Sequence, residues 1–345
     1  GRASVIKRER NNVVVPAGWY RGFLSGSSLR GRALFFKGLR KMRIAVVGST
    51  GEVGRMMTRV LEEQNVRPSL IRFFSSRRSA GTEVTFMGKT YYSEELVESS
   101  FDDHYDYALF SAGAEVSRRF SPIAAGRGTT VIDNSSAFRL EKDIPLVVPE
   151  INGDLLRNYH GIVANPNCST IQMVLSLQQV HNLYGLKTIV VSTYQAVSGA
   201  GRKGIEELDL QEKGLAPVSP VFTRQIYRNV VPQIGEILDN GFSNEEMKMV
   251  LETRKIFDDQ DISIWPTAIR VPVEYGHSES LYVETRKPFV LEDLKRVIAS
   301  SENVVLKDQI ITPLEISGSD LTFVARLRSF DDKRFLMWNI ADNIR

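Results

Sequence analysis

The chain has 345 residues, 42% hydrophobic and 25% charged, which excludes a fibrous or low-complexity protein and leaves room for roughly two domains of ~150 residues. No run reaches the ~20 apolar residues of a membrane-spanning helix, so no membrane partner is expected, and one cysteine excludes an intrachain disulfide and a thiolate zinc site. The net charge of +3 is uneven: residues 1–41 hold ten Lys/Arg against one acid, Glu9, and the remainder holds 34 bases against 40 acids, so the mildly acidic body gives no reason to expect nucleic-acid binding.

Residues 1–41 are basic, poor in acids and contain a Ser25–Arg32 stretch with linker character. They fit an organellar transit peptide, a disordered tail or an artefactual extension. The last is favoured, because a clean strand begins directly after Met42. The protein is expected in the cytoplasm, or in a plastid or other organelle if the segment directs import. A single cysteine suits either reducing setting.

Arg43-Ile44-Ala45-Val46-Val47-Gly48 reads as a buried parallel strand ended by glycine. Helical character follows over Arg55–Glu63 and stops before Pro68. Ile71–Ser75 and Asp106–Ser111 are the next strand candidates. Helix-like Ala114–Ala125 then leads into the strand Thr129–Asp133. Strands alternating with helices imply βαβ units and a Rossmann-like, doubly wound parallel sheet. Beyond a helix starting near Cys168, the segments Lys187–Thr193, Ile269–Val273 and Ser280–Glu284 read as strands, and Asn244–Lys255 reads as a helix. Fewer crossover helices here suggest a second, α+β domain. The expected division is 42–167 for the nucleotide domain, 168–334 for a catalytic and dimerisation domain, and 335–345 for the start of a helix returning to the first.

Gly48-Ser49-Thr50-Gly51-Glu52-Val53-Gly54 lies between the first strand and its helix. Glycines there let the backbone turn sharply and approach a pyrophosphate, which sits on the helix N-terminus. Alone, the three glycines also fit an ordinary strand-to-helix turn; their position favours the dinucleotide. The second strand ends at Ser75-Ser76-Arg77-Arg78-Ser79, where an NAD site would carry an acid for the ribose 2′-hydroxyl. Ser76, Arg77 and Ser79 suit a 2′-phosphate instead, so NADP is expected. The alternative is a solvated basic turn.

Cys168 stands in Asn165-Pro166-Asn167-Cys168-Ser169-Thr170, at a predicted strand-to-helix junction. Free amides at a helix N-terminus are expected to lower a thiol's pKa and to hold an oxyanion. A lone cysteine can also be a small buried hydrophobe; polar Asn167, Ser169 and Thr170 favour a nucleophile. The four histidines, His104, His160, His181 and His277, lack metal-ligand spacing, so no metal is expected.

In order, the glycine loop, Asp133-Asn134-Ser135-Ser136-Ala137-Phe138-Arg139, the cysteine motif, Tyr194–Gly201 and Arg270-Val271-Pro272-Val273 with Gly276-His277-Ser278 make the chain from Met42 to Arg345 resemble the bacterial-type aspartate-semialdehyde dehydrogenases. The wider group includes N-acetyl-glutamyl-phosphate reductase and glyceraldehyde-3-phosphate dehydrogenase. The resemblance implies reversible, NADP-dependent phosphorylating oxidation of aspartate semialdehyde through a cysteine thioester, running as the reduction in lysine, threonine and methionine biosynthesis. It implies Cys168 as nucleophile, His277 as a loop-borne acid/base and Gln195 as an orienting amide. It also implies Arg270 on the substrate carboxylate, Glu245 on its ammonium, and Lys248, Arg139 and Asn167 toward phosphate. Glu245 could be exchanged with Glu246. Gly48, Thr50, Gly51, Glu52, Val53, Gly54, Ser198 and Gly199 would meet the cofactor. Members are homodimers or homotetramers. Phe335–Arg345 looks like the opening of the family's closing helix, which continues further in relatives. Two alternatives are N-acetyl-glutamyl-phosphate reductase, whose usual Asn-Pro-Gly-Cys-Tyr differs at Asn167 and Ser169, and a catalytically silent dinucleotide-binding paralogue.

Overall fold

The computed structural model describes residues 42–345. The readings of residues 1–41 lie outside the described residues. Among the described residues no helix is long and apolar enough to cross a membrane.

β1 (Arg43–Val47), α1 (Glu52–Glu63), β2 (Leu70–Ser75), the hairpin β3 (Glu83–Phe86) and β4 (Lys89–Tyr92), and the short β5 (Glu94–Glu95) come first. β6 (Tyr107–Phe110), α2 (Ala114–Gly126), β7 (Thr130–Asp133) and β8 (Ile162–Ala164) complete a parallel sheet ordered β5-β2-β1-β6-β7-β8. Successive strand residues enter different cores: Ile44 and Val46 meet Leu61 and Phe73 on one face, and Ala45 and Val47 meet Phe74 and Phe110 on the other. Burial on both faces is why these strands are continuously apolar. The strand order reverses at β1, whose neighbours are β2 and β6. The crevice beyond the carboxyl ends there is where such sheets take ligands.

α3 (Cys168–Tyr184) leads to β9 (Leu186–Gln195), α4 (Arg202–Glu212), α5 (Asn244–Phe257), β10 (Ser263–Arg270) and β11 (His277–Thr285). α6 (Leu291–Ala299), β12 (Val304–Lys307), β13 (Thr322–Ser329) and β14 (Arg334–Ala341) finish a mixed sheet ordered β10-β9-β11-β14-β13-β12. Met173, Leu177 and Val180 of α3 pack with Ile189, Val191, Leu281, Val283, Phe335 and Met337 in the core on one face of this sheet.

Three sequence expectations are corrected. Residues 335–341 do not open a helix: they are β14, held between β11 and β13. Phe335, Met337 and Asn339 point into the core and alternate with Leu336 and Trp338, a period of two that satisfies two neighbouring strands. The strand expected at Ile269–Val273 lies earlier, at Ser263–Arg270, where Trp265-Pro266 looks like a break. β10 is an edge strand, so Pro266 costs no ladder bond on its open side. His277 is not loop-borne. It begins β11 and has no exposure.

Candidate active site

The glycine loop forms a cradle that side chains would fill. A Cβ on Gly48, whose φ is +83°, would stand 2.8 Å from the Ala112 nitrogen, and one on Gly54 would stand 2.1 Å from the Gly48 carbonyl oxygen. Both glycines are therefore required by the turn and by close helix–strand packing. Gly51 precedes α1 with no side-chain cap, leaving its first amides available to an anion. Gly51, Glu52 and Val53 line a cleft of about 630 Å³. Ser76, Arg77 and Ser79 do not line it. They follow β2, beside β1 on the same edge of the sheet, and among the described residues Arg77 has no ion-pair partner. An unpaired guanidinium at that point fits a dianionic 2′-phosphate.

Cys168, Asn167, Asn134 and Arg139 line the same cleft, as do Ser198 and Gly199. Cys168 is the first residue of α3, capped by Asn167 Oδ1, which accepts from the Ser169 amide at 3.0 Å. The thiol is only partly exposed. Its position at the helix start is as expected from the sequence, but its acidity is not. Burial, then the Glu245 carboxylate, pushes the thiol up to about 12, while Arg139, Arg270 and the Ser169 amide act the other way. Desolvation outweighs the helix terminus, so the resting sulfur is protonated at neutral pH.

One face of α5 organises the charges around it. Glu245, Lys248, Glu252 and Lys255 recur at intervals of three and four, so they form one stripe. Glu245 Oε1 accepts from Asn167 Nδ2 at 2.8 Å and Oε2 from Lys248 Nζ at 3.0 Å. Burial alone would raise Glu245, but Lys248, Asn167 and Arg270 outweigh it and hold the carboxyl below its ordinary value. Glu246 points elsewhere. Its carboxylate accepts from the amides of Ser243 at 2.7 Å and Ala268 at 2.9 Å, closing the helix's capping box. The two neighbouring acids are thus told apart. Glu245 faces the site.

Glu252 has no exposure and joins two segments: Oε1 accepts from Arg139 Nη1 at 3.1 Å and Oε2 from the Asn167 amide at 2.7 Å. Lys255 Nζ donates to the carbonyls of Arg139, Glu141 and Ile144 at 2.9, 2.6 and 2.8 Å, fastening the loop that carries Arg139. Arg139 Nη2 donates to the Asn134 carbonyl at 3.0 Å, while its buried Nε has no partner in the protein. That spare donor on the cleft wall suits an oxyanion.

Behind the cysteine, Ala196 uses both backbone groups. Its amide donates to His277 Nδ1 at 3.0 Å, and its carbonyl accepts from Arg270 Nη1 at 2.6 Å. With Nδ1 accepting, a neutral imidazole carries its proton on Nε2, which has no partner. Burial and then Arg270 hold His277 well below its ordinary pKa, so the ring is neutral. Gly199 seals this arrangement, since a Cβ there would lie 2.8 Å from Arg270 Nη1 and 3.1 Å from His277 Nε2. Gln195 is buried opposite Arg270 in the β9–β10 register, its Nε2 donating to Thr193 Oγ1 at 3.3 Å. His277, Gln195, Arg270, Glu245 and Lys248 do not border the cleft of about 630 Å³ itself, but Glu245 and Arg270 lie close enough to Cys168 to act on its charge.

Two site residues escape a reading of the motifs. Glu252 could have been suspected from its place on the Glu245–Lys248 stripe. Asn343 gives no such signal: it ties Ser198 Oγ at 3.0 Å to the Gly276 amide at 2.9 Å, joining two loops of the site.

Family models for semialdehyde dehydrogenases match most of the described chain: the NAD binding domain over residues 43–159 and the dimerisation domain over 177–345. The chain is 43% identical over 319 residues to an aspartate-semialdehyde dehydrogenase of Aquifex aeolicus, covering 88% of this chain and 93% of that one. It is 42% identical over 324 residues to the one from Bacillus subtilis, with the same two coverages. The crystal structure of aspartate semialdehyde dehydrogenase II from Vibrio cholerae, complexed with ASA, superposes with a TM-score of 0.83 at 40% identity, covering 89% of this chain and 94% of that one.

Proposed function

Because the chain belongs to the semialdehyde dehydrogenase family, we propose that it catalyses the reversible, NADP-dependent phosphorylating oxidation of L-aspartate-4-semialdehyde, its biosynthetic direction being the reduction. The observation that carries this reading is the ring of charges around Cys168. Arg270 offers a guanidinium to a carboxylate, Glu245 an anion to an ammonium, and Arg139 with Lys248 cations to phosphate. An N-acetylated glutamyl substrate has no cation to bring to Glu245, which disfavours N-acetyl-glutamyl-phosphate reduction.

The Cys168 sulfur adds to the aldehyde carbon as its proton passes, directly or through solvent, to the carbonyl oxygen, giving a thiohemiacetal. Arg139 and Arg270 favour the thiolate form. The Ala196 amide fixes His277 so that Nε2–H donates to the oxygen on which charge develops. This supports His277 as a hydrogen-bond donor to that oxygen; giving up Nε2–H altogether would leave an imidazolate. The neutral ring has no free lone pair with which to serve as base. Bound NADP supplies the hydride acceptor that makes the oxidation to thioester possible, and the Gly48–Gly54 cradle with Arg77 would hold it. Phosphate at Arg139 and Lys248 attacks the thioester carbon, the C–S bond breaks, and Cys168 is released as aspartyl phosphate forms.

Residues 42–167 are assigned to cofactor binding and 168–345, with β14 inside the second sheet, to chemistry and dimerisation. The second sheet covers one face with helices and leaves Val190 and Trp265 exposed at 42% and 55% on the other, beside the packed pair Tyr194–Trp338. That face is the proposed homodimer contact, in keeping with the matched dimerisation domain.

The test is NADPH formation from L-aspartate-4-semialdehyde with and without phosphate, run beside the N-acetyl-glutamyl analogue. Turnover should require phosphate and the aspartyl substrate; a folded, NADP-binding protein without turnover would overturn the reading. In the same assay Arg77→Ala should raise KM for NADP about 10-fold, the value of one charge-assisted phosphate contact, and leave any NAD-linked rate unchanged. Equal effects on both cofactors would remove Arg77 from the 2′-phosphate site.

A further inference from the structure

A buried polar seam that the reaction above does not use runs beneath the nucleophile. Cys168, Gln172 and Ser176 recur every fourth residue of α3 and share the face packed on the second sheet. Glu279 stands two residues beyond His277 on β11, on the same side of the sheet, with no exposure. Its cross-strand partner is Asn339, whose Nδ2 donates to Glu279 Oε2 at 2.8 Å and whose Oδ1 accepts from Ser176 Oγ at 2.7 Å. The Gln172 amide reaches the same carboxyl, although Gln172 Nε2 and Glu279 Oε1 close no well-formed hydrogen bond. Gln172 also lines the cleft, one turn after Cys168.

We propose that Glu279 is a positioning residue of the active site, its carboxyl joining Asn339 and Gln172 so as to fix the first turns of α3 on the sheet and place the Cys168 sulfur against His277 and Arg270. The inference rests on Cys168 being the nucleophile. A carboxyl buried without a cation is costly, and an apolar residue would fill the same space at less cost. Its facing neighbours are uncharged: Gln172 and Ser176 from α3, Asn339 from β14 and Thr193, its register partner on β9. On the faces these elements turn toward it, the nearest titratable groups along the chain are His277, two residues back on β11, and Cys168, one turn before Gln172 on α3; Lys187, Tyr194, Tyr282, Glu284, His181, Tyr184 and Arg334 lie farther along these elements or on the other side of the sheet. Arg270 lies two strands away. Burial pushes Glu279 up to about 8, so it is a neutral acid over most of the physiological range and can donate as well as accept. A carboxyl raised in this way supports the fold fully below its ordinary value of 4.5 and loses that support as pH rises through about 8.

The experiment compares Glu279→Gln and Glu279→Leu by iodoacetamide alkylation of Cys168 against pH, by steady-state kinetics, and by NADP binding as a measure of fold. Alkylation needs no substrate, so it decides the matter even if the proposed reaction is wrong. Glu279→Leu should shift the apparent pKa of alkylation by about one unit and lower kcat about 10-fold with KM little changed, as expected when a reactive atom is misplaced by a fraction of ~1 Å. Glu279→Gln should rescue both and lose the fall in melting temperature of the parent between pH 5 and 8. If Glu279→Leu does not fold, Gln172→Leu takes its place, with the same split expected. Unchanged alkylation and kcat in a folded leucine variant would overturn the proposal, as would a glutamine variant as impaired as the leucine.

Discussion

Cys168→Ser is expected to lower phosphate-dependent NADP reduction by about 10⁴-fold or more while leaving NADP affinity within a factor of ~2, because the thioester cannot form and the cofactor cradle is untouched. A serine hydroxyl in the same surroundings is harder still to ionise, since burial and Glu245 already push the thiol up to about 12. The pH dependence of the parent follows the same sign. Without an amine-bearing substrate, alkylation of Cys168 should be slow at pH 7 and accelerate about tenfold per pH unit, because the thiolate fraction grows toward a distant midpoint. A substrate ammonium placed on Glu245 removes the carboxylate's opposition and should raise the rate at every pH without changing that slope, since burial still keeps the midpoint high. Residual turnover above about 1% in the serine variant would remove Cys168 from its role.

Glu252→Ala should be the most damaging change outside the reacting groups. It strands the Arg139 guanidinium, 7% exposed, and the Asn167 amide together. Breaking a buried ion pair from one side costs about 3–5 kcal/mol, and at ~2–4 °C per kcal/mol the melting temperature should fall by roughly 10 °C. KM for phosphate should also rise at least about 10-fold, since Arg139 loses the carboxylate that orients it. Glu252→Gln keeps an acceptor for the Asn167 amide and should recover much of the stability but not the phosphate affinity. A glutamine variant with unchanged phosphate KM would confine Glu252 to a structural role. This separates the two bonds of one carboxylate.

The parts of the molecule legible in the sequence are those whose causes are local. A short β-branched run ending at Gly48 specifies a buried strand and a turn, and Gly54 is needed within a few residues of the carbonyl it approaches. Spacing alone puts Glu245 and Lys248 on one helix face. Other assignments depend on partners distant in the chain. Glu252 acquires its meaning from Arg139, 113 residues away, and Glu279 from Asn339, 60 residues away. Residues 335–341 are rich in large apolar side chains that fit either helix or strand, and only the vacant edges of β11 and β13 decide for the strand. The thiol illustrates a different gap. Its helix terminus is visible in the motif, but the burial that outweighs it and the charges that act on it, Glu245 of α5, Arg270 of β10 and Arg139, are brought together only by the fold.

That desolvation has a bearing on durability. Hydrogen peroxide oxidises thiolates, and a cysteine kept as the thiol reacts slowly with it. An enzyme that must expose a nucleophile to a cleft, in cells that generate oxidants, gains from storing it in the inert form. Burial is the larger cause of the raised thiol pKa, and Glu245, the carboxylate proposed above to meet the substrate's ammonium, adds to it while no cation stands against it. Sulfenic acid formation is thereby held back between turnovers, when there is no aldehyde to consume the sulfur's reactivity.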